Sequence, residues 1–260
     1  MPTDMNNLFN TKRFSLLFIN QLTGHYKTYL MGLTVLLGVL LVGGSFLVYL
    51  IPAAIDINMQ TLLFSSIYFL AGTIFTSTIF ADLSDKKKAI GYLTLPASHF
   101  EKFIIGWLFS YVIFSFIYTG FFYLVLMLLL NLRHWPHQHS EMFNVFAEPM
   151  TLIFIVFTLL HSTALWGAVF FEKLHFIKTA FCFFISIVVL TLTNTWFIEK
   201  LIGREVRPAT PFSNIMFFEN NRNVAVAGLR QNDILVVYII IFVSLILWAA
   251  AYYRLKEKQV

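Results

Sequence analysis

Residues Asp82–Lys102 read DLSDKKKAIGYLTLPASHFEK, a polar island between two long apolar runs, Thr61–Ala81 and Phe103–Leu130. Each of Lys86, Lys87 and Lys88 would cost about 2.5 to 3.5 kcal/mol at the centre of a bilayer. The island is therefore a loop at one membrane face, and the runs beside it are spans. A crossing needs about 20 predominantly apolar residues. Four further runs meet that length: Tyr29–Ile51, Thr151–Phe171, Thr179–Ile198 and Ile234–Tyr253. The expected fold class is an all-α integral membrane protein with six transmembrane helices.

Composition agrees. Hydrophobic residues make up 58% of the chain and charged residues 12%, with 30 phenylalanines among 260 residues. Soluble domains hold about 45–50% and 25% respectively. The basic balance, +5 at neutral pH, marks topology rather than a nucleic-acid partner. Cys182 is the single cysteine, so no intrachain disulfide forms. No secretory leader is evident, because the first apolar run is too long for one and has no small-residue cleavage site behind it.

Ahead of the first span, Phe14, Leu17, Phe18 and Leu22 recur at helical spacing, with Lys12, Arg13, Asn20 and Gln21 at other positions. This pattern predicts a helix lying in the membrane interface; the alternative is an ordinary lead-in helix. The expected organisation is a single transmembrane domain over 1–260: an interfacial helix (1–28), a six-span bundle (29–253) and a tail (254–260). With the N-terminus inside, twelve Lys and Arg fall on the inner side and six on the outer. Both termini are therefore expected in the cytoplasm.

The runs carry no Asp, Glu, Lys or Arg well inside them, whereas ion-coupled transporters keep an acidic residue at membrane depth. Their polar residues are hydroxyls and amides: Thr73, Thr76, Ser77 and Thr78 in the second run, Thr191, Thr193, Asn194 and Thr195 in the fifth. Back-bonding to the preceding turn or helix–helix hydrogen bonds account for these; a cargo-facing stripe is the alternative. His134, His137 and His139 are dense enough for a metal, but they surround a proline and lack helical register, so a solvated loop is expected. His161 is the one histidine well inside a span. No P-loop and no hydrolase or metalloprotease motif is present, so no catalytic or metal site and no cofactor is expected in this chain. The segment Glu199–Asp233 reads as an outer cap, with a hairpin of Phe212–Phe218 and Val224–Leu229 or a short re-entrant element.

Within the island, Ser98 and Glu101 fit a capping box just before the third span. Pro96 keeps the chain from running helically into it. Ala89–Leu95 is thereby a separate short element showing Ile90, Tyr92, Leu93 and Leu95. Apolar residues in such a loop need a partner surface or the membrane interface to cover them.

The pattern Gly91-Tyr92-Leu93-Thr94-Leu95-Pro96-Ala97-Ser98, after a charged run and before Glu101 and Gly106, resembles the segment following the second span of type-2 ABC transporter permeases. Tyr92 stands where that family usually has a small hydroxyl residue. The resemblance implies that residues 82–102 hold a coupling helix docking on a separate ATP-binding subunit. The coupling residues would be Ile90, Gly91, Tyr92, Leu93, Leu95, Pro96, Ser98 and Glu101. It also implies ATP and Mg on that partner, a second membrane subunit (identical or not), and a place in the bacterial cytoplasmic membrane. The implied function is ATP-driven movement, as an exporter, of a hydrophobic or amphipathic cargo. The rival expectation is a non-transporting assembly or sensor subunit that docks a soluble partner through the same loop.

Overall fold

A computed structural model of the chain describes residues 9–50, 55–80, 90, 95–132, 141–171, 173–213, 215–219, 222–226 and 231–257. Six helices are long and apolar enough to cross a membrane, so the protein is a multi-pass membrane protein. The elements are α1 (Thr11–Leu50), α2 (Ile57–Thr78), α3 (His99–Trp107), a π-helical stretch (Leu108–Ile113), α4 (Phe114–Leu132), α5 (Glu148–Phe170), α6 (His175–Ile202), β1 (Ile215–Glu219), β2 (Arg222–Val226) and α7 (Gln231–Glu257). The third span is α3, the π stretch and α4 in succession.

The first span differs from expectation. α1 runs unbroken for 40 residues, about 60 Å at 1.5 Å per residue, where a separate interfacial helix was expected over 1–28. The reason is local. No proline stands between Thr11 and Leu50, and the next one, Pro52, follows directly. The amphipathic face also finds a protein partner: Leu17 is buried with Ile105 and Phe109, and Phe14, Phe18 and Tyr29 pack around them. The Phe18 and Phe109 rings lie 4.9 Å apart.

The other helices begin and end where their caps allow. The Asp56 side chain accepts the Met59 amide at 3.0 Å and starts α2. Gly203, at φ 70°, closes α6 in the left-handed conformation that glycine adopts without strain. Beyond it the segment leading to α7 contains a hairpin, one of the two alternatives of the sequence reading, with its strands displaced. β1 and β2 pair antiparallel from Ile215↔Val226 to Glu219↔Arg222, which leaves two residues between the strands. Asn194 and Thr195 of α6 tie down the lead-in to this hairpin through the backbone of Ala209, at 2.9 and 3.1 Å.

Lipid tails are as apolar as leucine, so spans associate through close packing and hydrogen bonds rather than by hiding from water. α5 is the central helix, packed on α2, α6 and α7. Two glycines let backbones approach. A Cβ on Gly72 would overlap Phe157, and one on Gly167 would overlap Thr179. Towards the hairpin end, a largely aromatic core joins Phe64, Tyr68, Tyr118, Phe122, Phe143 and Phe157. Tyr118 donates to the Phe64 carbonyl at 2.8 Å. Gln60, fully buried, accepts the Phe143 amide (3.0 Å) and donates to the Ile55 and Glu141 carbonyls (2.9 Å each). A second core lies towards the opposite end: Phe80, Phe103, Leu165, Ala168, Val169, Ala251 and Leu255.

At that opposite end, where α2 ends and α3 begins, the start of α1 and the last turns of α7 also meet α3. The Asn10 amide reaches Glu101, and the Phe100 ring meets Tyr252 edge-on at 6.1 Å.

Candidate functional site

The coupling residues expected from sequence separate into distinct groups. Ser98 is the N-cap of α3, and its side chain accepts the Glu101 amide at 3.1 Å. Glu101 returns the bond, accepting the Ser98 amide at 2.8 Å. The expected capping box is therefore present. Glu101 does more than close it. Its other oxygen accepts the Asn10 amide at 2.7 Å and lies 3.3 Å from the Arg13 guanidinium. Asn10 in turn caps α1, its side chain accepting the Lys12 amide at 2.9 Å. One carboxylate thus receives an amide from the N-terminal end of each of two helices, where the helix dipoles favour negative charge. Glu101 is fully buried and meets only donors here, which holds it as a carboxylate.

Leu95 faces inward, with Ala97, against the cluster of Leu17, Ile105 and Phe109. It is half-buried there. Pro96 is exposed, and Ile90 is helical and 46% exposed. Gly91, Tyr92 and Leu93 lie outside the described residues, as do Lys86, Lys87 and Lys88, and likewise His134, His137 and His139.

A second feature was legible only in fragments. Between the two apolar cores lies a layer of buried polar side chains: Thr76 and Ser77 on α2, Ser110 in the π stretch, His161 and Ser162 on α5, and Ser244 on α7. At its centre the Trp248 indole donates to His161 Nδ1 at 3.2 Å, and His161 Nε2 lies 2.9 Å from Ser110 Oγ. An indole only donates, so Nδ1 accepts and the ring proton sits on Nε2. Nε2–H then donates to Ser110, whose own proton goes to the Gly106 carbonyl at 2.7 Å. Every proton is assigned with a neutral imidazole. Because Nε2 carries the proton, the pair is not set up as a serine–histidine base. Beside it the Tyr111 and Thr158 hydroxyls lie 2.7 Å apart, and those of Tyr68 and Ser115 lie 2.6 Å apart.

The third feature is a crevice of about 320 Å³ between α2, α5 and α6, bordered by Phe69, Thr73, Ser77, Thr163, Thr179 and Phe183. The hydroxyls of Thr73, Ser77, Thr163 and Thr179 donate to carbonyls of their own helices at 2.7 to 2.8 Å. Back-bonding, as expected for the second-span hydroxyls, therefore accounts for their protons. What the crevice presents to a guest is apolar surface and acceptor lone pairs.

Comparison with protein-family models, with curated proteins and with solved structures finds no match to this chain. The functional reading accordingly rests on the residues and their geometry.

Proposed function

We propose that the chain is the membrane-spanning permease subunit of an ATP-driven transporter of the type-2 ABC kind. A separate ATP-binding subunit, carrying ATP and Mg, docks on residues 82–102, and a second membrane subunit completes the path. The observation that carries this reading is the Glu101 junction. The helix following the loop and the helix beginning the chain share one buried carboxylate, so a push on the loop is delivered to the first and third spans together. The resemblance of residues 91–98 to a coupling segment supports the same role. The absence of Asp, Glu, Lys and Arg from the middle of the apolar runs favours an energy source outside this chain.

In this reading both termini and the lysine loop face the cytoplasm of a bacterial inner membrane. The cargo, taken outward, is hydrophobic or amphipathic, matching the phenylalanines and acceptor oxygens of the crevice between α2, α5 and α6. The test is to purify the chain from its native membrane and sequence what accompanies it. A P-loop protein whose hydrolysis is stimulated in the reconstituted complex is the expected result. A soluble companion without a nucleotide site would favour the assembly or sensor role and overturn this one.

A further inference from the structure

The hairpin between α6 and α7 is fastened to the bundle along one edge. Its two-residue connection makes Glu219↔Arg222 a hydrogen-bonded pair, and bonded and non-bonded pairs alternate from there. Phe217↔Val224 and Ile215↔Val226 therefore also bond. The backbone groups of Met216 and Phe218 turn outward along β1, and those of Asn223 and Ala225 turn outward along β2. The β1 edge has a partner: the Arg207 amide donates to the Met216 carbonyl at 2.9 Å. Arg207 lies in a segment held on α6, where the Val206 amide donates to Glu199 at 3.2 Å and the Ala209 carbonyl accepts from Asn194. Along the β2 edge no backbone bond joins Asn223 or Ala225 to a described residue outside the hairpin. A two-stranded hairpin is marginal by itself, and a bare strand edge is a template for a further strand.

The spacing of the open groups decides which strand fits them. Asn223 and Ala225 flank Val224 symmetrically. A twofold axis through Val224, perpendicular to the strand, sets Asn223 of one copy opposite Ala225 of the other. Each outward amide and carbonyl then meets its complement. The one charged residue of β2, Arg222, falls opposite Val226 and about 14 Å from its symmetry mate, so like charges do not face each other. Val224 meets itself across the axis, a β-branched pair suited to a sheet.

We propose that β2 is an interface strand that pairs antiparallel with β2 of a second copy of this chain, joining the two hairpins into one continuous sheet. Two copies inserted the same way share a twofold axis along the membrane normal, so β2 then runs along the membrane surface. The inference rests on the reading above in taking a second membrane subunit to be present, and it makes that subunit an identical chain.

The test uses the full chain in its native membrane, with Cys182→Ser and single cysteines in β2. Across the axis the Val224 Cα atoms stand about 4.5 Å apart, within the range of about 4.4–6.8 Å that a disulfide spans. Copper–phenanthroline oxidation should join Val224→Cys chains into a covalent homodimer at least about fivefold more completely than Arg222→Cys chains. Adding Ala225→Pro removes an outward amide that the hairpin itself does not use, and should lower the Val224→Cys homodimer at least about fivefold. An absent Val224→Cys homodimer, equal homodimer at both positions, or one unchanged by Ala225→Pro overturns the strand pairing. A Val224→Cys product that contains a different chain gives the edge to that chain and overturns the self-pairing. The mass of the unoxidised parent in native-lipid discs separates this failure from that of the reading above. Two copies per particle without the Val224→Cys homodimer overturn the pairing alone; a single copy with no second membrane chain overturns both.

Discussion

Asn10 donates its backbone amide to the Glu101 carboxylate at 2.7 Å across 91 positions of sequence. The same carboxylate holds the Ser98 amide and lies beside Arg13. Two helix starts are thus pinned at one buried point. A buried acceptor serving several donors cannot be removed cheaply, because each donor loses a charged hydrogen-bond partner.

The first prediction follows from that asymmetry. Glu101→Ala should destabilise the protein by about 3 kcal/mol, since it takes a buried charged acceptor from two backbone amides. Arg13→Ala should cost only about 0–1 kcal/mol, because its side chain is 33% exposed and water screens the pair. Thermal unfolding in detergent reads both. An Arg13→Ala protein weaker than Glu101→Ala would show that the ion pair, not the amide bonds, holds the junction.

The cap itself is testable separately. Ser98→Ala removes the acceptor for the Glu101 amide and should cost about 0.5–2 kcal/mol, while Ser98→Asp, which also caps, should stay near the parent. Limited proteolysis near Pro96, together with the unfolding temperature, distinguishes them. Equal harm from both changes would point to a need for the hydroxyl in some contact other than capping.

Glycine spacing makes a third prediction. A methyl at Gly72 meets the Phe157 and Phe114 rings, whereas one at Gly120 meets nothing within 4 Å. Gly72→Ala should therefore cost about 1–3 kcal/mol through overpacking. Gly120→Ala should be neutral or stabilising by up to about 1 kcal/mol, from helix propensity. If Gly72→Ala proves harmless, α2 and α5 are less tightly packed than their contact implies.

Much of this architecture was written in local sequence. The six apolar runs coincide with the six helices, because length and hydropathy decide a span without reference to its neighbours. The Ser98–Glu101 box was equally readable, as its partners are three residues apart. What escaped is long-range or unmarked. Nothing in Phe14–Leu22 distinguishes a helix destined for the membrane surface from one that buries Leu17 on Ile105 and Phe109. The link from Asn10 to Glu101 leaves no trace in either segment. Leu95 looked like its apolar neighbours until Leu17 and Phe109 were found beneath it. The polar layer was visible only as scattered hydroxyls and one histidine; that His161, Ser110 and Trp248 meet depends on how three spans cross. No residue pattern announced the π stretch.

Orientation provides a fourth prediction, from the twelve-to-six division of Lys and Arg. In a Cys182→Ser background, Lys256→Cys should be shielded from an impermeant thiol reagent in intact cells and react after lysis. Glu141→Cys and Asn221→Cys should react from outside. Labelling of Lys256→Cys in intact cells would invert the topology and remove the lysine loop from the cytoplasm.

The last prediction separates the loop's packing from its docking. Leu95 is half-buried against the cluster around Leu17 and Phe109, so a charge there is set against apolar side chains. Leu95→Asp should therefore lower the unfolding temperature and weaken the hold on α1, whatever the loop binds. Ile90 is 46% exposed, and with Tyr92 and Leu93 it is the proposed face for the ATP-binding subunit. Interface energy concentrates in a few residues, and a large ring with a hydroxyl is a common anchor. Tyr92→Ala or Leu93→Asp should release that subunit, or uncouple its hydrolysis from cargo, while the unfolding temperature stays at the parent value. Changing Lys86–Lys88 should matter less, since solvated charges contribute about 0–1 kcal/mol. Co-purification of the ATP-binding subunit, cargo-stimulated hydrolysis in reconstituted membranes and thermal unfolding together read the four outcomes. If Leu93→Asp keeps both binding and stimulated hydrolysis, the loop is a topological turn and the permease reading loses its docking site.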